Sequence, residues 1–118
     1  MTPADPMGEL DPVIHAQARL RVVAILSTLA EGDFITFPSL QGLLRMTAGN
    51  LSVHLRKLED AEYITIVKTH EGRTPSTLIS LTYRGRAAFE AYTAALRRLL
   101  DSVESNFPRP EQEHRTGR

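Results

Sequence analysis

The residue pattern of this 118-residue chain predicts a mainly α domain that carries one small β-hairpin and ends in a long helix. Three observations predict it. Two short helix-period segments follow one another within a few residues between Thr36 and Leu58. Two β-branched runs flank the turn-rich stretch Glu71–Pro75. Finally, Phe89, Tyr92, Leu96, Leu99 and Val103 recur at spacings of 3, 4, 3 and 4, the seam of a helix that packs along its length.

Asp11 before Pro12 is a good N-cap with proline in the first turn, and the first helix is expected to run from there to Ala30, where Glu31-Gly32-Asp33 stops it. Its apolar residues fall in two sets. One is Ile14, Ala18, Val22, Ile25 and Leu29; the other is Val13, Leu20, Val23 and Leu26. That stripe is too broad for one core face, so two surfaces are expected to bury it. Thr36 and Pro38 open a second, short helix with Phe37, Leu40, Leu43 and Leu44 at helical spacing, broken by Arg45-Met46. Thr47 caps a third, with a narrow stripe of Leu51, Leu55 and Leu58. Two short helices this close read as a helix-turn-helix. Tyr63–Lys68 and Thr77–Leu81 then read as the two strands of a hairpin, and Thr82 caps a last helix from Tyr83 to about Val103. Residues 1–10 read as a flexible tail, residues 11–104 as one domain, and residues 105–118, with two prolines and no apolar period, as a disordered tail.

Composition bounds the function. The chain is 42% apolar and 24% charged, as expected for one soluble globular domain. It has no cysteine, so disulfides, thiolate metal sites and thiol nucleophiles are excluded. The N-terminus is acidic with no apolar targeting segment, and the longest apolar run is Val22–Leu26. No membrane contact and a cytoplasmic location are therefore expected. Formal net charge is zero, which by itself argues against nucleic acid. The distribution qualifies this: from Ser39 to Arg86 seven bases face four acids, leaving +3.

The stretch LLRMTAGNLSVHLRKLEDAEYI (Leu43–Ile64), followed by VKTHEGRTPSTLISLTYRGRAAF (Val67–Phe89), resembles the winged-helix regulators of the ArsR and MarR type, closest to a short single-domain branch. The resemblance covers residues 13 to about 103. It implies a winged helix-turn-helix with a small β-hairpin wing and a long C-terminal dimerisation helix. The chain departs from the family pattern at Arg45 and Glu62. Family members tend to place glycine at those helix ends, to relieve a left-handed cap.

In such a fold the third helix enters the major groove. With Leu51, Leu55 and Leu58 turned inward, rotation of 100° per residue leaves Gly49, Val53 and Arg56 outward, flanked by Asn50, Ser52 and Lys57. Asn50 suits adenine, Arg56 guanine or phosphate, Val53 a thymine methyl, and Ser52 and Thr47 phosphate oxygens. Gly49 allows close backbone approach. In the wing, Arg73 suits a narrow minor groove, with Lys68, His70 and Thr74 as lesser contacts. Taken singly, Asn50, Arg56 and Lys57 are equally the kind of residue found solvated on a surface. His54 lies at the core edge and is expected to be packed and hydrogen-bonded. Arg84 and Arg86 suit either phosphate or nearby acids. The seam Phe89, Tyr92, Leu96, Leu99 and Val103, with Val13 and Leu20 of the first helix, is expected to dimerise, because the first helix alone cannot cover it.

The expected function is that of a sequence-specific transcriptional repressor that binds a palindromic operator in double-stranded DNA as a homodimer. The alternative is a winged-helix protein-interaction module without DNA binding, which the zero net charge keeps open. A small-molecule effector between the first and last helices is compatible with the pattern, and no residue signature selects one. An enzyme is not expected, since no convergent acids, bases or nucleophiles are visible. His15, His54, His70 and His114 are dispersed, which argues against a metal, and no cofactor is expected.

Overall fold

The computed structural model describes residues 10–106. Its elements are α1 (Gln17–Ser27), β1 (Ile35–Thr36), α2 (Phe37–Leu44), α3 (Ala48–Asp60), β2 (Ile64–Glu71), β3 (Thr74–Leu81) and α4 (Tyr83–Asn106). The four helices and hairpin have the predicted order. No described helix is long and apolar enough to cross a membrane.

The first helix is shorter than predicted at both ends. Asp11 does cap, but it caps a single turn: its Oδ1 accepts from the amides of Val13 at 2.8 Å and Ile14 at 3.4 Å. Ala16 is then extended, at φ −118° and ψ 130°, and α1 starts only after it. Residues 10–16 therefore form an irregular arm. At the far end, the hydroxyls of Ser27 and Thr28 donate to the carbonyls of Ala24 and Ile25, the back-bonding that competes with helix propagation, and α1 stops at Ser27 instead of Ala30. Residue 10, expected in the flexible tail, is a buried leucine, and α4 continues through residues 105 and 106. The rest of the two expected tails lies outside the described residues.

A third strand joins the predicted hairpin. The antiparallel order is β1-β3-β2, with Ile35 opposite Ile79, and Ile64, Ile66 and Lys68 opposite Leu81, Ile79 and Thr77. Gly72-Arg73 is the two-residue loop between paired Glu71 and Thr74. Gly72 has φ 64°, the conformation that such a loop demands of its first residue. Burial along the hairpin is graded, with Ile64, Ile79, Ser80 and Leu81 buried at the root and every residue from Val67 to Pro75 exposed.

Two apolar clusters form. The larger joins Val22, Val23 and Leu26 of α1 to Leu40 and Leu44 of α2, to Leu51, Leu55 and Leu58 of α3, and to the strand roots Ile64, Ile79 and Leu81. The smaller joins Leu10 and Ile14 of the arm to Tyr92 and Ala95 of α4, with Leu20 and Leu96 against it. The apolar residues of α1 are thus shared between both clusters within one chain, with Val22, Val23 and Leu26 buried and Ala18, Leu20 and Ile25 half-buried.

Candidate nucleic-acid interface

Thr47 starts α3: its side chain accepts the amide of Asn50 at 3.1 Å. Its hydroxyl oxygen is therefore engaged in capping. Leu51, Leu55 and Leu58 are buried, at 0%, 2% and 0% exposure, which fixes the rotation of the helix. Gly49, Asn50, Ser52, Val53, Arg56 and Lys57 are all exposed, and Val53 shows 55% of its surface, so an aliphatic side chain stands among polar ones on an open face. No atom lies within 4 Å of a Cβ added at Gly49, so its surroundings are open.

Arg73 and Thr74 stand exposed at the wing tip, with Lys68 exposed farther down β2. Between α3 and the wing runs an open groove. Ser52, Arg56 and Glu59 line one wall, Lys68 and Thr77 the other, and Phe37, Leu55 and Ile66 the floor. Thr77 and Glu59 were not among the expected site residues. Thr77 had a signal only through strand register, being opposite Lys68, and Glu59 through its position three residues after Arg56. Arg56, Lys57, Lys68 and Arg73 make no ion pair among the described residues. Their charges face solvent, as phosphate binding needs.

Of the two basic residues with alternative partners, Arg84 meets an acid at the surface and Arg86 is tied into the fold. Arg84 lies 3.4 Å from the carboxylate of Glu62, both widely exposed. Arg86 donates to the carbonyls of Ser27 at 3.3 Å and Leu29 at 3.4 Å, satisfying acceptors at the end of α1. Arg21 does the same for Leu44 at the end of α2, at 3.2 Å. His54 is packed and hydrogen-bonded as expected: its Nδ1 lies 3.4 Å from Nη1 of Arg19. Since a guanidinium only donates, His54 Nδ1 is the acceptor. Burial, then the charges of Arg19 and Lys57, hold its pKa below the usual 6.5.

The expected dimer seam is divided. Tyr92 is 4% exposed within the single chain, packed against the arm and hydrogen-bonded to His15 at 2.9 Å. Phe89 and Val13 pack against the larger cluster, and Leu20 and Leu96 against the smaller. Leu99 is half-buried, and Val103 and the neighbouring Leu100 are 49% and 55% exposed. Among the described residues no cluster of three or more His, Cys, Asp or Glu could hold a metal.

A capped, leucine-anchored helix with a polar outer face, braced by α2 and flanked by a hairpin with arginine at its tip, defines the winged helix-turn-helix class. The chain belongs to the family of winged helix DNA-binding domains, whose model matches residues 19–100. It is 29% identical over 92 residues to an uncharacterized protein of Methanocaldococcus jannaschii, covering 78% of this chain and 97% of that one. Its fold is similar to that of a transcriptional regulator homologue from Pyrococcus horikoshii, with a TM-score of 0.71 and 24% identity over 78% of this chain and 88% of the other. MepR of S. aureus, solved as a DNA complex, has a TM-score of 0.65 at 20% identity, over 85% of this chain and 81% of that one. A MarR-family protein of Enterococcus faecalis has a TM-score of 0.65 at 18% identity, over 80% and 82% of the two chains. The fold is that of the MarR-like transcriptional regulators.

Proposed function

We propose that this protein is a sequence-specific transcriptional repressor that binds a palindromic operator as a homodimer. The observation that carries the reading is the outer face of α3, where Asn50, Ser52, Val53, Arg56 and Lys57 are exposed beside a groove walled by Arg56 and Lys68. Asn50 offers the donor and acceptor that together read adenine in the major groove, Arg56 offers the paired donors that read guanine, and Val53 offers apolar contact to a thymine methyl. Arg73 reaches an adjacent minor groove, and Lys68, Ser52 and Thr74 hold the phosphate strand between. That MepR, whose fold is similar, is solved as a DNA complex supports DNA binding as the use of this fold.

A dimer built on Leu96, Leu99, Leu100 and Val103 of α4 presents two reading helices on one side of a duplex. This implies half-sites about one helical turn apart. It also doubles the phosphate contacts of a modest basic surface. Zero net charge keeps one competitor in play, a protein-docking module that does not bind DNA.

Selection of bound sequences from random duplex DNA tests the reading: a two-fold symmetric consensus is expected, with binding that fades steeply as salt rises. Arg56→Ala is expected to weaken specific binding by about 1–3 kcal/mol and relax one position of the consensus. Arg73→Ala is expected to weaken it with a shallower salt slope. Failure to retard any duplex in dilute buffer, together with a co-purifying protein, would instead establish the docking module.

A further inference from the structure

The two apolar clusters divide the chain into a reading head, made of most of α1, α2, α3 and the sheet, and a stem, made of the arm and most of α4, with Leu20 of α1 packed against the stem. Tyr63, at the junction of α3 and β2, packs against both clusters. Its hydroxyl donates to Oδ2 of Asp11, while Oδ1 of the same carboxylate holds the turn of the arm. Its backbone is equally committed. The amide closes the end of α3 on Leu58 O at 2.9 Å, and the carbonyl accepts Thr82 N at 3.0 Å, just before α4. A second link runs parallel to this one. Arg19 donates through Nε to Val13 O at 2.6 Å and through Nη1 to His54 Nδ1 at 3.4 Å, tying the arm to the middle of α3.

These contacts are polar, directional and placed where the two bodies meet, and packing alone fixes an angle less sharply than hydrogen bonds of defined geometry. Resting on the DNA-binding reading above, we propose that Tyr63 is a positioning residue for operator recognition. Its hydrogen bond to Asp11, with the Arg19 bridge beside it, sets the angle at which α3 is presented relative to the stem. In a symmetric dimer the two reading helices must match the pitch of the duplex together. An error in this angle is therefore repeated in both subunits. Specific binding needs base edges in register, whereas non-specific binding needs only charge near phosphate. The joint thus acts on the ratio of the two affinities.

Tyr63→Phe keeps the ring in both clusters and removes only the donor. With the full chain, the affinity for the selected duplex is expected to fall about tenfold, the equivalent of one base contact. Affinity for a scrambled duplex, its salt slope and the dimer should stay as in the unaltered chain. Asp11→Ala, which also removes the cap of the arm, should lose at least as much, and adding Tyr63→Phe to it should cost little more, the signature of one shared interaction. Amide exchange across Leu51–Leu58 provides a readout that needs no DNA: Tyr63→Phe is expected to raise it at unchanged exchange of the buried strand β3. Equal losses on both duplexes, or unchanged specific binding, would overturn the proposal. If the unaltered chain binds no duplex, the regulator reading fails, and the exchange measurement then decides alone: faster exchange in α3 upholds the joint, and unchanged exchange rejects it.

Discussion

At Arg45 the backbone has φ 56° and at Glu62 φ 65°, the described non-glycine residues in the left-handed region. Both close helices by the same device. After α2, the Met46 amide reaches back to Gln41 O; after α3, the Glu62 and Tyr63 amides reach Glu59 O and Leu58 O. That is the geometry of a left-handed helix stop. A side chain there costs about 1 kcal/mol relative to glycine. Arg45→Gly is therefore expected to raise stability by about that amount, visible as a higher thermal midpoint. Glu62→Gly should gain similarly, since the exposed Arg84 pair it gives up contributes little. Lower midpoints for both would show that the caps are not strained. His54 gives a second test at this scale. Its folded pKa is depressed below 6.5, so the fold favours neutral imidazole; that contribution is complete above 6.5 and is lost as acidification protonates the ring beside Arg19 and Lys57. His54→Gln should flatten the fall in urea midpoint between about pH 7.5 and about pH 5. An identical fall in the variant would dismiss this histidine as its source.

The sheet and the last helix meet closely at Gly85. Thr82 caps α4, accepting Gly85 N at 2.9 Å, and donates from its hydroxyl to Glu62 O at 2.8 Å. A Cβ on Gly85 would lie 2.1 Å from Tyr63 O, a backbone atom held by the hairpin root. Gly85→Ala is thus expected to cost about 3 kcal/mol, read from the denaturant midpoint; a loss within a few tenths would show that α4 shifts freely. The sequence made α3 legible because the Leu51, Leu55, Leu58 stripe and the Thr47 cap are local signals that agree. The hairpin was legible for the same reason. What escaped depended on distant partners. β1 is two residues long and exists through pairing with β3. The arm is irregular because Ala16 is extended, so no period marks it. Arg86 and Thr77 acquire their places from α1 carbonyls and strand register, which no window around them encodes.

Considered whole, the molecule keeps more of its seam for itself than its spacing suggests. Tyr92 faces inward because the arm returns to cover it, which leaves the last two turns of α4 as the part of the seam still open. Leu100→Asp with Val103→Asp is expected to convert the proposed dimer to a monomer while leaving the fold of each chain intact, because both side chains are about half exposed in the single chain. Sedimentation with an unchanged dimer mass would move the interface elsewhere. The graded wing has a final implication. From Val67 to Pro75 the ribbon has solvent on both faces, and two strands held only by their ladder are marginally stable in water. Its tip is accordingly a compliant finger on a stiff knuckle. The proposed seating of Arg73 in a groove would quench that motion, so part of the attraction would be consumed in ordering the ribbon. A stiffer finger would hold on more tightly with no new contact made.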